Sequence, residues 1–227
     1  MKKILVVADD FGLNSKINQG IITAHKNGVV SAVTTITTGQ AFEEAITLLK
    51  ENPDLLTGIH IDLDRFFNID HSIGLATGPA VTPLPVEEIE NEIRKQIQAL
   101  KSHGIEVFYL TSHHHTHLEP EIISSLIKVA KEYNILKMRF FRKYYRDQET
   151  YEKIKGIILE NGIYFPGHFI DGWYWGNVDE PFEVAELSTH PGYGEIWREY
   201  ELSACCDPNL KKYLKEKEIV LISFKDL

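Results

Sequence analysis

Two adjacent carboxylates, Asp9 and Asp10, close the first apolar run of the chain, Lys3-Ile4-Leu5-Val6-Val7-Ala8. Two later apolar runs end on imidazoles. One is Leu55-Leu56-Thr57-Gly58-Ile59-His60; the other, Val107 to Thr111, leads into Ser112-His113-His114-His115-Thr116-His117. A hard oxygen donor and two imidazoles, each at a strand end, can hold a dication while leaving positions open for water and substrate, as a catalytic rather than a structural metal requires. Such an ion acidifies water and polarises a carbonyl oxygen. The spare member of the aspartate pair is available as a base. His190, in Ser188-Thr189-His190-Pro191-Gly192, is placed to protonate a leaving group, with the Pro-Gly turn fixing its imidazole. Strand alternation aims His60, Asp62 and Asp64 to one side, and likewise His113, His115 and His117. The residues point to a metal-dependent hydrolase.

Positioning these groups takes a succession of strands and helices. β-Branched runs predict strands at Lys3–Ala8, Val29–Thr35, Leu55–Ile61, Val107–Thr111, Leu136–Phe140, Tyr164–Phe169, Glu183–Ser188 and Ile219–Phe224. Between them lie helical patterns. One starts at Asn14 or Ser15 and stops at Gly28; the clearest carries Ile89, Ile93, Ile97 and Leu100. Residues 64 to 85, with Gly74, Gly78, Pro79, Pro83 and Pro85, read as a long loop over the C-terminal mouth. Strands alternating with helices across residues 1–227, with no linker, predict one α/β domain, a distorted TIM-type (β/α) barrel. An open doubly wound sheet is the rival fold. The first turn, Asp-Asp-Phe-Gly, cannot cradle a phosphate as such a sheet's nucleotide site requires.

Bulk properties narrow the partners. A net charge of −9 over 227 residues argues against nucleic acid, although Lys137, Arg139, Arg142, Lys143 and Arg146 form a basic run. No apolar run reaches the roughly 20 residues of a membrane span, and Asp9 interrupts the first run too early for a signal peptide. The two cysteines, Cys205 and Cys206, are adjacent and fit neither a disulfide nor a spaced thiolate site, so a cytoplasmic protein is expected. A C2 homodimer is the default assembly. A glycosidase needs carboxylates about 5–5.5 or 6.5–9.5 Å apart across a bond, which neighbouring aspartates cannot supply.

The segments Ala8-Asp9-Asp10-Phe11-Gly12, Gly58-Ile59-His60, Ser112-His113-His114-His115-Thr116-His117, His190-Pro191-Gly192 and Ser223-Phe224-Lys225-Asp226-Leu227 together resemble the YdjC-like carbohydrate deacetylases, along effectively the whole chain. The resemblance implies a fold related to the polysaccharide deacetylases. It places metal ligands on Asp10, His60 and His113, a general base on Asp9 and a general acid on His190. The ion is described as magnesium in some members, while related deacetylases prefer zinc, and two imidazoles favour zinc over Mg2+. The sequence departs from the family at Thr111, where an Asp is usual and could orient a ligand imidazole, and in the acidic Ile61-Asp62-Leu63-Asp64. Asp226 is a further outer-shell residue and the reserve base.

The resemblance implies a small carbohydrate substrate, an N-acetylated amino-sugar oligosaccharide such as diacetylchitobiose. His115, His117, Arg139, Trp173 and Trp175 are expected to touch it, with Tyr174, Phe66 and Phe67 as further stacking surfaces. Two other readings stay open: a metal-dependent amidase or phosphodiesterase on a non-sugar substrate, and a catalytically silent metal- or sugar-binding protein.

Overall fold

A computed structural model describes residues 1–172 and 178–227. Trp173, Tyr174 and Trp175, expected at the substrate, lie outside the described residues. In chain order the regular elements are β1 (Lys2–Phe11), α1 (Ser15–Asn27), β2 (Ala32–Thr35), α2 (Phe42–Glu51), β3 (Leu56–Ile61), β4 (Phe67–Asp70), β5 (Leu75–Pro79), α3 (Val86–Ser102), β6 (Leu110–Ser112), α4 (Ile123–Glu132), α5 (Gln148–Glu160), β7 (His168–Asp171), β8 (Val184–Thr189), α6 (Ile196–Cys205), α7 (Pro208–Glu216) and β9 (Ile219–Ile222).

Parallel pairing orders the main sheet β6-β3-β2-β1-β8-β7, with β9 alongside the first half of β1. The sheet is curled and open. Isolated bridges Leu110–Met138 and Lys137–Tyr164 continue the curve beyond β6, so the expected barrel survives as a distorted one. The expected strand at Leu136–Phe140 is reduced to those bridges.

Burial on both faces explains the sequence pattern. Along β1, Ile4, Val6 and Ala8 pack outward against α1 and its neighbours, while Leu5 and Val7 pack inward with Tyr109, Ile222 and Phe224. Alternation then places Asp9 on the interior side, above Val7. Because every strand of the main sheet runs parallel, Asp9 and Asp10, His60, His113 and His190 all emerge at the same end.

Local features fix the exits. Asn14 caps α1 by accepting from the Ile17 amide at 3.0 Å, and Gly28 ends it, as the sequence predicted. Gly20 lets α1 touch the turn after β8: a Cβ there would lie 2.4 Å from the Gly192 backbone, so a side chain would displace the segment holding His190. The stretch 64–85 is not irregular throughout. It folds into the antiparallel hairpin β4–β5, which packs on the turn after β6. Its aromatic entry, Phe66 and Phe67, is core at 4% exposure each, so neither serves as a stacking surface for substrate.

Candidate active site

Asp10 leaves β1 with φ of 65°, a left-handed conformation that costs a non-glycine residue free energy and recurs at functional sites. Its carboxylate thereby meets two imidazoles. Its Oδ1 lies 3.3 Å from His60 Nε2 and 3.3 Å from His113 Nδ1, yet is buried with no hydrogen-bond partner. The three donor atoms lie within 4.8 Å of one another. Tetrahedral coordination with bonds of about 2.0–2.1 Å separates its donors by roughly 3.3 Å, so the set fits a dication. The other oxygen, Oδ2, accepts from Arg198 Nη2 at 2.7 Å. Burial pushes the Asp10 carboxyl up, but the two imidazoles outweigh it and hold the group well below the usual carboxylate range.

The hydroxyls behind His60 fix its tautomer. Thr34 donates its hydroxyl to Asp9 Oδ1 at 2.6 Å and also lies 3.1 Å from His60 Nδ1. Thr111 Oγ1 lies 2.7 Å from the same nitrogen and 3.4 Å from the Ile59 carbonyl. With both hydroxyl protons directed elsewhere, Nδ1–H donates to Thr111 and Nε2 keeps its lone pair toward Asp10. Thr111 thus occupies the orienting place where the resemblance puts an Asp.

Asp9 lies 1% exposed at the floor of the site. Arg139 grips both its oxygens, Nη1 to Oδ2 at 2.6 Å and Nη2 to Oδ1 at 3.0 Å, and Ser188 donates to Oδ2 at 3.0 Å. Below, Arg139 Nε donates to Glu186 Oε1 at 2.8 Å, and Tyr109 donates to Glu186 Oε2 at 2.7 Å. A polar column therefore runs down the barrel axis from Asp9 to Tyr109. Burial raises Asp9, but the Arg139 charge, then His60 and His190, hold it far below its ordinary value. The expectation that Arg139 touches substrate is corrected: it is wholly buried and committed to two carboxylates.

His190 faces Asp9, its Nε2 lying 3.7 Å from Oδ2. Glu201 of α6 accepts from the His190 backbone amide, lies 3.6 Å from Nδ1, and accepts from Thr189 at 2.7 Å. Burial lowers the imidazole pKa, but Glu201, with help from Asp10 and Asp9, carries it up to about 9. Glu201 thereby favours the protonated form of the imidazole.

Two further expectations change. His117 is fully buried, with Nδ1 2.7 Å from Ser112 Oγ and Nε2 3.0 Å from the Arg139 carbonyl; it braces the turn and cannot reach a substrate. Burial and the Arg139 charge lower its pKa to about 3. Asp226 closes a capping box with Ser223 and is absent from the cavity wall, so it is neither an outer-shell residue nor a reserve base. His115 does line the cavity, edge-on to Phe141 at 5.1 Å. Burial first, then Arg139, keeps it neutral.

Asp9, Asp10, His60, His113, His115 and His190 open into one cavity of about 720 Å³. Its apolar walls are Phe141 stacked on Phe169 at 4.1 Å, Tyr144, Trp197, and Ile73 and Leu75 of the hairpin. Arg198 and Glu201 carry no sequence signal of this role, because α6 lacks a clean apolar stripe. Its buried positions, Arg198, Glu201, Leu202 and Cys205, keep helical spacing, but two of them are charged and mask the apolar stripe.

A curled, open parallel sheet with carboxylates and imidazoles gathered at its C-terminal end places the chain among the polysaccharide-deacetylase-like α/β folds. It superposes with a TM-score of 0.52 on a mutant of a CE4 family pseudoenzyme, at 11% identity over 100% of this chain and 67% of the other. The YdjC-like protein family model matches residues 3–216, and the chain belongs to that family. A carbohydrate deacetylase of Brevibacillus brevis is 30% identical, with 99% of each chain aligned. A solved structure from Enterococcus faecalis V583, described as a putative cellobiose-phosphate cleavage protein, gives a TM-score of 0.79 at 22% identity, over 99% of this chain and 98% of that one.

Proposed function

We propose that this protein is a metal-dependent carbohydrate deacetylase that removes acetyl groups from short N-acetylated amino-sugar oligosaccharides such as diacetylchitobiose. One observation carries the reading: the orphaned Oδ1 of Asp10 between two imidazoles shares a cavity with Asp9 and His190. The name of the Brevibacillus relative supports the sugar substrate.

Asp10, His60 and His113 would hold the dication, Zn2+ or Mg2+, whose chemistry is to acidify water and polarise the acyl oxygen. Arg198 fixes the Asp10 carboxylate through Oδ2, leaving Oδ1 for the ion. Thr111 holds the His60 ring in its ligand tautomer. Asp9 takes the proton of the attacking water. Arg139 makes it a weak base, so it suits only water that is already acidified, and it keeps the carboxylate ionised and aimed. His190 Nε2–H protonates the departing amine, giving acetate and an amino sugar. Glu201 keeps that proton in place until it is needed. His115, neutral and bordered by Phe141, lines the wall with Trp197 and Tyr144, flat surfaces suited to sugar faces.

No helix among the described residues is long and apolar enough to cross a membrane. The decisive experiment measures acetate release from mono-, di- and trisaccharides and from simple acyl amides, after reconstitution with Zn2+ or Mg2+. Release from diacetylchitobiose is expected. Activity confined to acyl amides would replace this reading with the amidase one.

A further inference from the structure

Beside the Asp10 centre, on the outer side of His113, stands a second group of metal-type donors. Asp64 begins the turn after β3, and His113 and His114 begin the turn after β6; the two strands are parallel neighbours, so their exits lie side by side. One donor atom from each of Asp64, His113 and His114 falls within 4.8 Å of the others. Asp64 Oδ2 sits 2.7 Å from His114 Nδ1, while its Oδ1 is buried without a hydrogen-bond partner.

A simple Asp–His pair explains the first contact but leaves the rest without cause. His114 and His115 both adopt left-handed backbone, with φ of 49° and 56°, a conformation that non-glycine residues rarely adopt. Successive side chains of a right-handed tight turn diverge by a third of a revolution. The left-handed His114 instead brings its ring to 3.9 Å from that of His113, an arrangement that two imidazolium ions would resist. The support is rigid as well: Asp62 accepts from the Asp64 amide, and Gln96 holds both backbone polar groups of Asp62. His71, on the hairpin, stands edge-on to His114 at 5.3 Å.

We infer that Asp64, His113 and His114 form a second divalent-cation site, of the borderline class that one carboxylate and two imidazoles favour, and that it antagonises the first centre through the shared His113. Two dications this close repel, and one imidazole cannot serve both freely, so the second site fills later and more weakly. Its occupation withdraws His113 from the catalytic ion. Activity then rises with the first equivalent of zinc and falls with excess. That consequence rests on the proposed deacetylase centre, whereas the stoichiometry does not.

The test is calorimetric titration of the metal-free full chain with Zn2+, with bound metal counted after dialysis. Wild type is expected to take up two equivalents in separate steps. Asp64→Asn and His114→Gln should each lose the weaker step and keep the tighter one; their places on different turns keep the test open should either variant misfold. His60→Ala should lose the tighter step alone. A single wild-type equivalent, lost in His60→Ala and kept in Asp64→Asn, overturns the second site and leaves the first standing. Two equivalents persisting in both Asp64→Asn and His114→Gln overturn it too. A step lost in Asp64→Asn and untouched in His60→Ala supports it while removing the first centre.

Discussion

Replacing Arg139 with Met separates fold from catalysis in a way the structure lets us quantify. The guanidinium is wholly buried and joins two carboxylates that are each 1% exposed, through bonds of 2.6, 3.0 and 2.8 Å. Methionine fills much of the space but leaves both carboxylates without their cation. Breaking a buried ion pair from one side costs about 3–5 kcal/mol, which for a chain of this size lowers Tm by roughly 6–20 °C. The cost depends on pH, and its sign follows from Asp9. In the wild type the folded carboxyl titrates far below its ordinary 3.8, so its stabilisation is present above that value and is lost only as pH falls through the depressed one. In Arg139→Met burial acts unopposed by the guanidinium, so Asp9 and Glu186 take up protons nearer neutrality. The destabilisation should therefore be largest near pH 8 and shrink toward pH 5. Catalysis reports the same event: kcat/KM of the variant should show an acid limb that wild type lacks between pH 5 and 8, because the base now starts out protonated. Adding Glu186→Gln removes one orphaned charge and should restore about 1–3 kcal/mol. Chemical denaturation across that pH range, beside the pH–rate profile, measures both. Arg139→Met with wild-type stability and an unchanged profile would refute the column as the device that keeps Asp9 ionised.

Four further outcomes are expected. Asp9→Asn should keep metal binding but lower turnover by about 10²–10⁴-fold, checked by metal analysis beside acetate release. Glu201→Gln should pull the alkaline limb of kcat/KM down from about 9 toward or below neutrality, since burial then dominates His190; an unmoved limb would free Glu201 from that role. The same imidazole, raised from 6.5 to about 9 on folding, stabilises the protein fully below 6.5 and loses that contribution as pH rises through 9. Urea denaturation should record a loss of at most about 3 kcal/mol over that span, absent in His190→Asn. Zinc at about 100 times its Kd should stabilise the metal-free protein by about 2.7 kcal/mol, and His60→Ala should erase most of the accompanying rise in Tm.

What could be read from the sequence, and what could not, follows from the two-faced burial of the curled sheet. The candidate ligands and the proposed base and acid are legible because each lies where an apolar run ends at the mouth, a place where packing alone does not call for a polar residue. Asp10, His60 and His113 needed only that observation, together with the resemblance, and the structure brings their donors together. Arg139 sits in Lys137-Met138-Arg139-Phe140-Phe141, where Met138 and Phe140 supply the buried outer face. An alternating pattern ordinarily leaves the intervening residues to solvent, so the arginine read as surface or substrate contact. Here the other face is the barrel interior, and Arg139 is buried because Asp9 and Glu186 wait there for it.

Glu186 hid in the same way within Val184-Ala185-Glu186-Leu187-Ser188, a strand whose apolar face alone is visible to a periodicity argument. Arg198 and Glu201 hid more deeply, since their partners Asp10 and His190 lie far away in sequence or across a turn and their helix lacks a clean apolar stripe. The residues that do chemistry and those that hold them thus obey different rules. A reacting group is recognisable by where its strand stops, because exposure at a mouth is a local property. A positioning group is recognisable only by the charge it neutralises, which is a property of the folded pair. Each partially concealed ion pair at this site joins one residue of each kind: Arg139 with Asp9, Arg198 with Asp10, Glu201 with His190. An unexplained charge inside a strand of a parallel barrel should accordingly be read as the missing partner of a reactive charge at the mouth.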